Sequence, residues 1–366
     1  MRIAYGCYWN AYVDDGVSAK ITLQERHWRE HGHETRIFCL TPRSEGDKPP
    51  VVRGELFPFE GGRERVAETR ALTRAIANYA PDLVYLRYDI FIPPPARLLH
   101  DFTSAVEVNT DDRREYRLRG HHVRIYNALN RRLVLSAVDG LVCVTRELAD
   151  RAASLGKSTA VITNGVDRAA TARTAPVRST RVRAALLVGS LNQWHGLDKV
   201  VRLAHLLPEW DFVLIGLGSD GAPAPLPANV EVHGLLTRAE YAPLLAACDV
   251  GIGPLALHRK GLEEASALKV REYLAHGLPV MIAHTDTDFA DASPWFLLRL
   301  ENNEQNIEAG REAIRRFGER MRGRRVAWQE VAPSISAAAK EAARLEFFER
   351  LLERSPKRRH PSAISR

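Results

Sequence analysis

Short apolar runs alternate with longer amphipathic ones along this chain, and the alternation happens twice. That constrains the fold more than any other feature. Ile3–Cys7, Thr35–Leu40, Leu83–Leu86, Ala105–Val108, Gly140–Val144 and Ala160–Ile162 read as strands. Between them, Val17–His31, Arg65–Tyr79, a long basic stretch near Arg113–Ala137 and Arg146–Leu155 read as helices. Strands that are apolar at nearly every position are buried on both faces, and strands separated by helices of about 10 to 20 residues pair in parallel. Asn164-Gly165-Val166-Asp167 then reads as a turn, followed by an aperiodic polar linker to about Arg181.

The alternation restarts beyond the linker. Ala184–Val188, Phe212–Ile215, Val230–Val232, Val250–Ile252 and Pro279–Ile282 read as strands. Leu197–Leu206, Arg238–Ala246 and Leu268–His276 read as helices, the last stopped by Gly277. Two further helices, near Asn306–Phe317 and Ala337–Glu353, end the chain. The expected organisation is two Rossmann-like, doubly wound α/β/α domains, residues 1–168 and 182–330. A C-terminal helix over about 335–353 packs back on the first. Such sheets bind ligands outside the carboxyl ends of their strands, at the topological switch point, so a central cleft faced by both domains is the expected site.

The 366 residues suit two domains. A content of 45% hydrophobic and 27% charged residues excludes a disordered chain. No apolar run reaches the roughly 18 residues of a membrane-spanning helix. Met1–Gly6 reads as the first strand and not as a signal peptide. Cys7, Cys39, Cys143 and Cys248 are far apart in apolar surroundings, which suits free thiols in a reducing, cytoplasmic compartment. The formal charge of +7 permits anionic partners without selecting one.

The most informative stretch runs from Gly261 to Val280. Glu264 and Glu272 flank seven residues, and small side chains at Ala265, Ser266 and Ala267 open the helix that carries Glu272. Small residues let a ligand approach the backbone, and a helix amino end suits a phosphate. Lys269 adds a positive charge in the first turn. Two carboxylates can accept sugar and ribose hydroxyls. Taken alone, the same spacing also fits two solvated glutamates on a surface helix.

With Gly277-Leu278-Pro279-Val280 behind it, the segment resembles the signature of retaining GT-B glycosyltransferases of glycosyltransferase family four. Other family-like pieces keep the same order along the chain. They include Gly16-Val17-Ser18-Ala19-Lys20, Pro81–Arg87, Asn164–Asp167, Gly189-Ser190-Leu191 through Gly196-Leu197-Asp198, Gly216-Leu217-Gly218, Val232-His233-Gly234, Cys248–Pro254 and Trp328–Ala332. The resemblance implies GT-B architecture and an enzyme of hexosyltransferase type, which moves a sugar from a UDP- or GDP-linked donor with retention of anomeric configuration. No prosthetic group or metal is implied. The alternatives are a GT-B nucleotide-sugar epimerase and a degenerate protein that binds a nucleotide sugar without turnover.

Residue by residue, the resemblance implies that Glu264 contacts the donor sugar. Ala265, Ser266, Ala267 and Leu268 present amides to sugar and diphosphate, and Glu272 holds the ribose. Gly16 lets the chain approach the diphosphate, and Gly234 and Leu235 lie near the base. Ser190 and His195 stand where the family usually has a basic pair. Lys269 is therefore the first candidate for the diphosphate's counter-charge, with His195 or Lys199 assisting. On the acceptor side, Asn109, Thr110 and Asp111 replace a His common in the family, and Asn109 and Asp111 are the candidates for acceptor contact. Asp14-Asp15 and Asp111-Asp112 otherwise read as loop acids.

The basic, aromatic-bearing segment Arg113–Arg132 leaves three readings open: a solvated helix face, peripheral contact with an anionic membrane, or an anionic acceptor. Nucleic acid is not expected as a partner, because no recognition motif accompanies the charge. The sequence does not fix an oligomeric state.

Overall fold

The computed structural model describes every residue except 45, 47, 118–119, 170–179, 189–191, 218–224, 356 and 358–366. The chain divides into two units. Unit 1 holds Met1–Asp14, Ser18–Ile162 and Lys340–Arg366, and unit 2 holds Asp15–Val17 and Thr163–Ala339.

In unit 1 the first strand, β1 (Arg2–Tyr8), buries every residue from Ile3 to Cys7, so both faces of its sheet need cover. The elements that follow are α1 (Gly16–Glu30), β2 (Glu34–Pro42), β3 (Glu55–Phe59), α2 (Gly62–Tyr79), β4 (Leu83–Arg87), α3 (Ala96–Asp101), β5 (Ser104–Val108), α4 (Asp112–Arg117), α5 (His121–Ala137), β6 (Gly140–Cys143), α6 (Arg146–Ala152) and β7 (Ser158–Val161). The strands form one parallel sheet of order β3-β2-β1-β4-β5-β6-β7, which reverses between β1 and β4.

Unit 2 repeats the plan. Its elements are β8 (Arg183–Leu187), α7 (Leu197–Leu206), β9 (Asp211–Ile215), β10 (Val230–His233), α8 (Arg238–Ala246), β11 (Val250–Ile252), β12 (Glu264–Ala265), α9 (Leu268–Ala275), β13 (Val280–Ile282), β14 (Thr285–Asp286), β15 (Leu297–Arg299), α10 (Asn306–Met321) and α11 (Trp328–Ile335). The main sheet is parallel, with order β10-β9-β8-β11-β13-β15, and it reverses between β8 and β11. Alternate residues of β9 feed opposite layers. Phe212 and Leu214 pack into one core with Trp210 and Phe317, while Val213 and Ile215 pack into the other with Val270 and Tyr273. The last helix, α12 (Ala337–Arg354), belongs to unit 1 from Lys340 onward. There Phe348 packs 5.6 Å from Trp28 and 5.1 Å from Tyr85, ring to ring.

Four details differ from the sequence reading. The long basic helix is two helices, α4 and α5, and Gly120 between them has φ +110°, which a right-handed helix does not allow. β3 was not expected because Pro58 interrupts it, but it is an edge strand, where proline is tolerated. α3 follows Pro93-Pro94-Pro95 and spans only six residues, too few to show a helical period. β15 is three residues long, too short to show a period.

Candidate functional site

The carboxyl ends of β8 and β11 part at the switch point of unit 2. Their ladder ends at Gly251 opposite Ala185. Beyond it the Tyr273 hydroxyl accepts from Leu187 N–H at 2.7 Å and donates to Ile252 C=O at 3.1 Å. One side chain of α9 thus bridges the two diverging strands and pins α9 over the crevice. A Cβ on Gly251 would lie 2.4 Å from the Tyr273 ring, so glycine is what lets this helix approach so closely.

The amino end of α9 has no side-chain cap. The amides of Val270 and Arg271 turn back to Ala267 C=O, at 3.0 and 3.3 Å. Those of Leu268 and Lys269, in the first turn, have no intrahelical acceptor. Beside them lies a cavity of about 230 Å³, lined by Leu186, Val188, Gln193, His195, Arg259 and Lys269 among others.

Four cations stand at or near this cavity, and three are spoken for. Arg259 makes a two-bonded pair with Asp198 (2.9 and 2.7 Å) and another with Glu304 (2.7 and 2.8 Å). Lys199 is buried, and its Nζ donates to Asn303 C=O (2.6 Å), Glu304 C=O (3.2 Å) and Asn306 Oδ1 (2.9 Å). That corrects the expectation that Lys199 assists a diphosphate. Lys260 sits over the Trp194 ring, 4.3 Å from its centre. Lys269 is different. Its Nζ is enclosed and makes no hydrogen bond, and among the described residues it has no ion-pair partner. Burial pushes this amine down to about 7.

His195 lines the same cavity. Burial, with Lys269 and Lys260 nearby, pushes its imidazole down to about 2. These surroundings oppose the assisting cation that the sequence reading expects. Ser190, the other half of the replaced basic pair, lies outside the described residues.

The two glutamates differ in their surroundings. Glu264 is buried in β12, whose backbone pairs with β14. Glu272, on α9, accepts from Arg238 on one oxygen, and from Tyr241 Oη and His276 Nε2 on the other, each at 3.2 Å. Burial alone would raise the Glu272 carboxyl, but His276 and Arg238 outweigh it and hold the group below its ordinary value. Glu272, the carboxylate expected to hold the ribose, thus already carries an arginine. Arg238 and Tyr241 were missed from the sequence because α8 places them, 34 and 31 residues away in the chain.

Ser266 is committed internally. Its hydroxyl accepts from Asn164 N–H (2.9 Å) and Arg271 Nη2 (3.1 Å), and its carbonyl accepts from the Asn164 amide. Arg271 is itself fully buried and paired with Asp286 and Asp288, at 2.7 and 2.6 Å. This network fixes the backbone ahead of α9, which is how Ala265, Ala267 and Leu268 come to lead into the helix. Gly234 follows β10, and its carbonyl accepts from Gly216 N–H at 3.0 Å. Leu235 beside it is a large, exposed apolar side chain.

In unit 1, Asn109 follows β5. Its amide donates to Glu107 (3.1 Å), and its oxygen accepts from Lys20 (2.8 Å). Asp111 pairs with Arg151 and, at 3.6 Å, with Arg114. Both acceptor-side candidates are thus held by neighbours within the unit. Gly16 opens α1 and groups with unit 2. Among the described residues, no group of three His, Cys, Asp or Glu side chains could hold a metal ion.

A family model described as Glycosyltransferase Family 4 matches residues 15–170. No curated protein matches the chain. Solved structures do. Sucrose-phosphate synthase from Thermosynechococcus elongatus is 13% identical, with TM-score 0.67, over 97% of this chain and 100% of that one. Anabaena HepE, in complex with UDP and glucose, is 13% identical, with TM-score 0.65, over 95% and 99%. UDP-GlcNAc 2-epimerase from Neisseria meningitidis, bound to UDP-GlcNAc, is 12% identical, with TM-score 0.56, over 96% and 100%. At such identities the likeness shows the fold: two Rossmann-like domains in the GT-B architecture.

Proposed function

We propose that this chain is a glycosyltransferase, moving a hexose from a nucleoside-diphosphate sugar to an acceptor with retention of anomeric configuration. The donor sits in unit 2, over about residues 182–330, and the acceptor in unit 1, over about 1–168. The family match and the UDP-bound structural relatives support this reading. The observation that carries it is Lys269, an enclosed amine without a partner, beside uncapped helix amides at the switch point. A buried cation lacking a counter-ion is costly. A diphosphate supplies that counter-ion, and the amides of α9 add donors.

The chemistry follows from that placement. The acceptor oxygen attacks the anomeric carbon on the face that the diphosphate leaves. The carbon–oxygen bond to the phosphate breaks, and the acceptor proton passes to the departing phosphate oxygen. Lys269 stabilises the charge that builds there, Glu264 orients the sugar, and Glu272 with Leu235 receives the nucleoside. The test is a thermal-shift panel of UDP, GDP and their sugars. A raised melting temperature in wild type and not in Lys269→Met supports the reading, because a ligand stabilises only the state that binds it. Proton NMR of the first-formed product then reports retention or inversion.

The epimerase relatives motivate a second reading. An epimerase would isomerise the sugar nucleotide with no acceptor present, whereas a transferase would only hydrolyse it slowly.

Among the described residues no helix is long and apolar enough to cross a membrane. α5 does expose Ile125, Leu129 and Leu133, with Arg124 and Arg132 exposed alongside and no acidic residue in the helix. That supports peripheral contact with an anionic membrane. Flotation with phosphatidylglycerol vesicles should recover the wild type and lose an Ile125→Ser/Leu129→Ser variant.

A further inference from the structure

Unit 1 contains a cavity of about 340 Å³ near the carboxyl end of β5, between α4, α5 and α6. Five arginines line it: Arg113, Arg114, Arg117, Arg131 and Arg151. Only two carboxylates do, Asp111 and Asp112. Asp112 is taken by Arg131 at 3.1 Å and by the Asn127 amide at 2.7 Å. Asp111 is taken by Arg151 and Arg114, and Arg151 also reaches Glu147. Arg113 and Arg117 are left without an ion-pair partner among the described residues. They are exposed and stand four apart on one short helix, α4, where like charges repel modestly and an anion between them would relieve the repulsion.

A second observation comes from Thr110, which also lines the cavity. Its hydroxyl oxygen is buried and makes no hydrogen bond. Native proteins rarely leave such a group unmatched, and a ligand oxygen would satisfy it. Val108, Leu135, Leu141 and Leu148 supply an apolar part of the lining. The site therefore fits a molecule with an anionic head and a less polar body. Guanidinium forks pair with tetrahedral phosphate oxygens through two parallel bonds, which an ammonium cannot do.

We propose that this cavity seats a phosphate monoester group of the sugar acceptor, held by Arg113, Arg117 and the Thr110 hydroxyl. The proposal rests on the reading of unit 1 as the acceptor side. A phosphate monoester occurs on small phosphorylated metabolites and on phosphatidate-like lipids, and the chemistry of recognition is shared.

The experiment is calorimetric titration with phenyl phosphate and with dihexanoyl phosphatidate, a lipid kept below its micelle concentration. The proteins are wild type, Arg113→Gln/Arg117→Gln, and Arg70→Gln as an exposed control on α2 outside the cavity. The full chain is used throughout, and UDP is titrated separately into each protein. Wild type and the control should bind at least one of the two phosphates, and the double variant should bind it at least tenfold more weakly. Tighter binding of the phosphatidate assigns the group to a lipid, and tighter or equal binding of phenyl phosphate assigns it to a soluble acceptor. UDP should bind all three proteins alike. If UDP binds none of them while the phosphate still distinguishes the double variant, the donor reading fails and the anion site stands. No phosphate binding by wild type, or equal binding by all three proteins, overturns the proposal.

Discussion

Two lysines in this protein are buried in opposite ways. Lys20, in unit 1, lies 2.9 Å from the carboxylate of Glu107 and 2.8 Å from Asn109 Oδ1. Glu107 also accepts from Asn109 and Gln24, and Arg344 lies 3.4 Å away. Lys269, in unit 2, has an equally enclosed Nζ and nothing to bind it. Burial lowers both amines. Lys20 falls to about 8, with Glu107 opposing the fall, and Lys269 falls to about 7 with nothing opposing. Glu107 shows the same matching from the acid side. Burial would raise it, but Lys20, Arg344 and Arg87 outweigh burial and hold it well below the carboxylate range. A buried charge with a complete partner set belongs to the architecture. One without a partner set is a candidate for ligand binding, the role proposed for Lys269.

The largest expected effect breaks the paired site. Lys20→Met leaves Glu107 buried beside one fewer cation, and the loss of stability should be about 3–5 kcal/mol, read by urea unfolding. Adding Glu107→Gln should recover part of that loss. A Lys20→Met protein as stable as wild type would remove the contrast with Lys269.

At the unpaired site the same substitution should act on activity. Lys269→Met should lower turnover by about 10²–10³ at saturating donor, the scale of losing one transition-state charge stabiliser. Stability at neutral pH should hold or rise, because the change removes an uncompensated buried charge.

The pH dependence sharpens the point. The amine of Lys269 sits at about 7 in the folded state and at about 10.4 when unfolded. Between those values the unfolded chain binds more protons, so stability from this group rises with pH across that window. The advantage of Lys269→Met over wild type should therefore be greatest at and below pH 7 and close toward pH 10. Parallel stability curves would count against a buried, unpaired amine.

His195 should show the smallest effect. Its ring is neutral at working pH, so His195→Gln should leave the shape of the pH–turnover profile near pH 6.5 unchanged. A profile step that vanishes in the variant would mean that the ring titrates there after all.

Much of this was legible in the sequence, for identifiable reasons. β1, β4 and β11 announce themselves because each is apolar on both faces, and Gly277 marks the end of α9 with φ +75°. Lys269 stood out by its place in the first helical turn. Its solitude did not, because that depends on partners elsewhere being engaged. Lys199 looked equally available until α10 supplied Asn306 to bind it. Asp111 and Arg151 are 40 residues apart in sequence, and Arg238 and Glu272 are 34 apart. Those pairings arise from sheet order, which no local period encodes. The cavity walled by α4, α5 and α6 was hidden for a related reason. Its basic stretch was visible, but the break at Gly120 that separates α4 from α5 was not.

The most direct measurement is proton uptake on donor binding. A nucleoside-diphosphate sugar keeps its phosphates ionised across neutral pH, so any proton taken up belongs to the protein. Titration calorimetry at pH 7.5, in two buffers of different ionisation enthalpy, counts the protons. Diphosphate beside Lys269 raises its pKa, and wild type should take up a fraction of a proton per donor bound, because an amine at about 7 is largely neutral at this pH. Lys269→Met should take up none. Donor binding with the same heat in both buffers for wild type would contradict the assignment of Lys269 to the diphosphate.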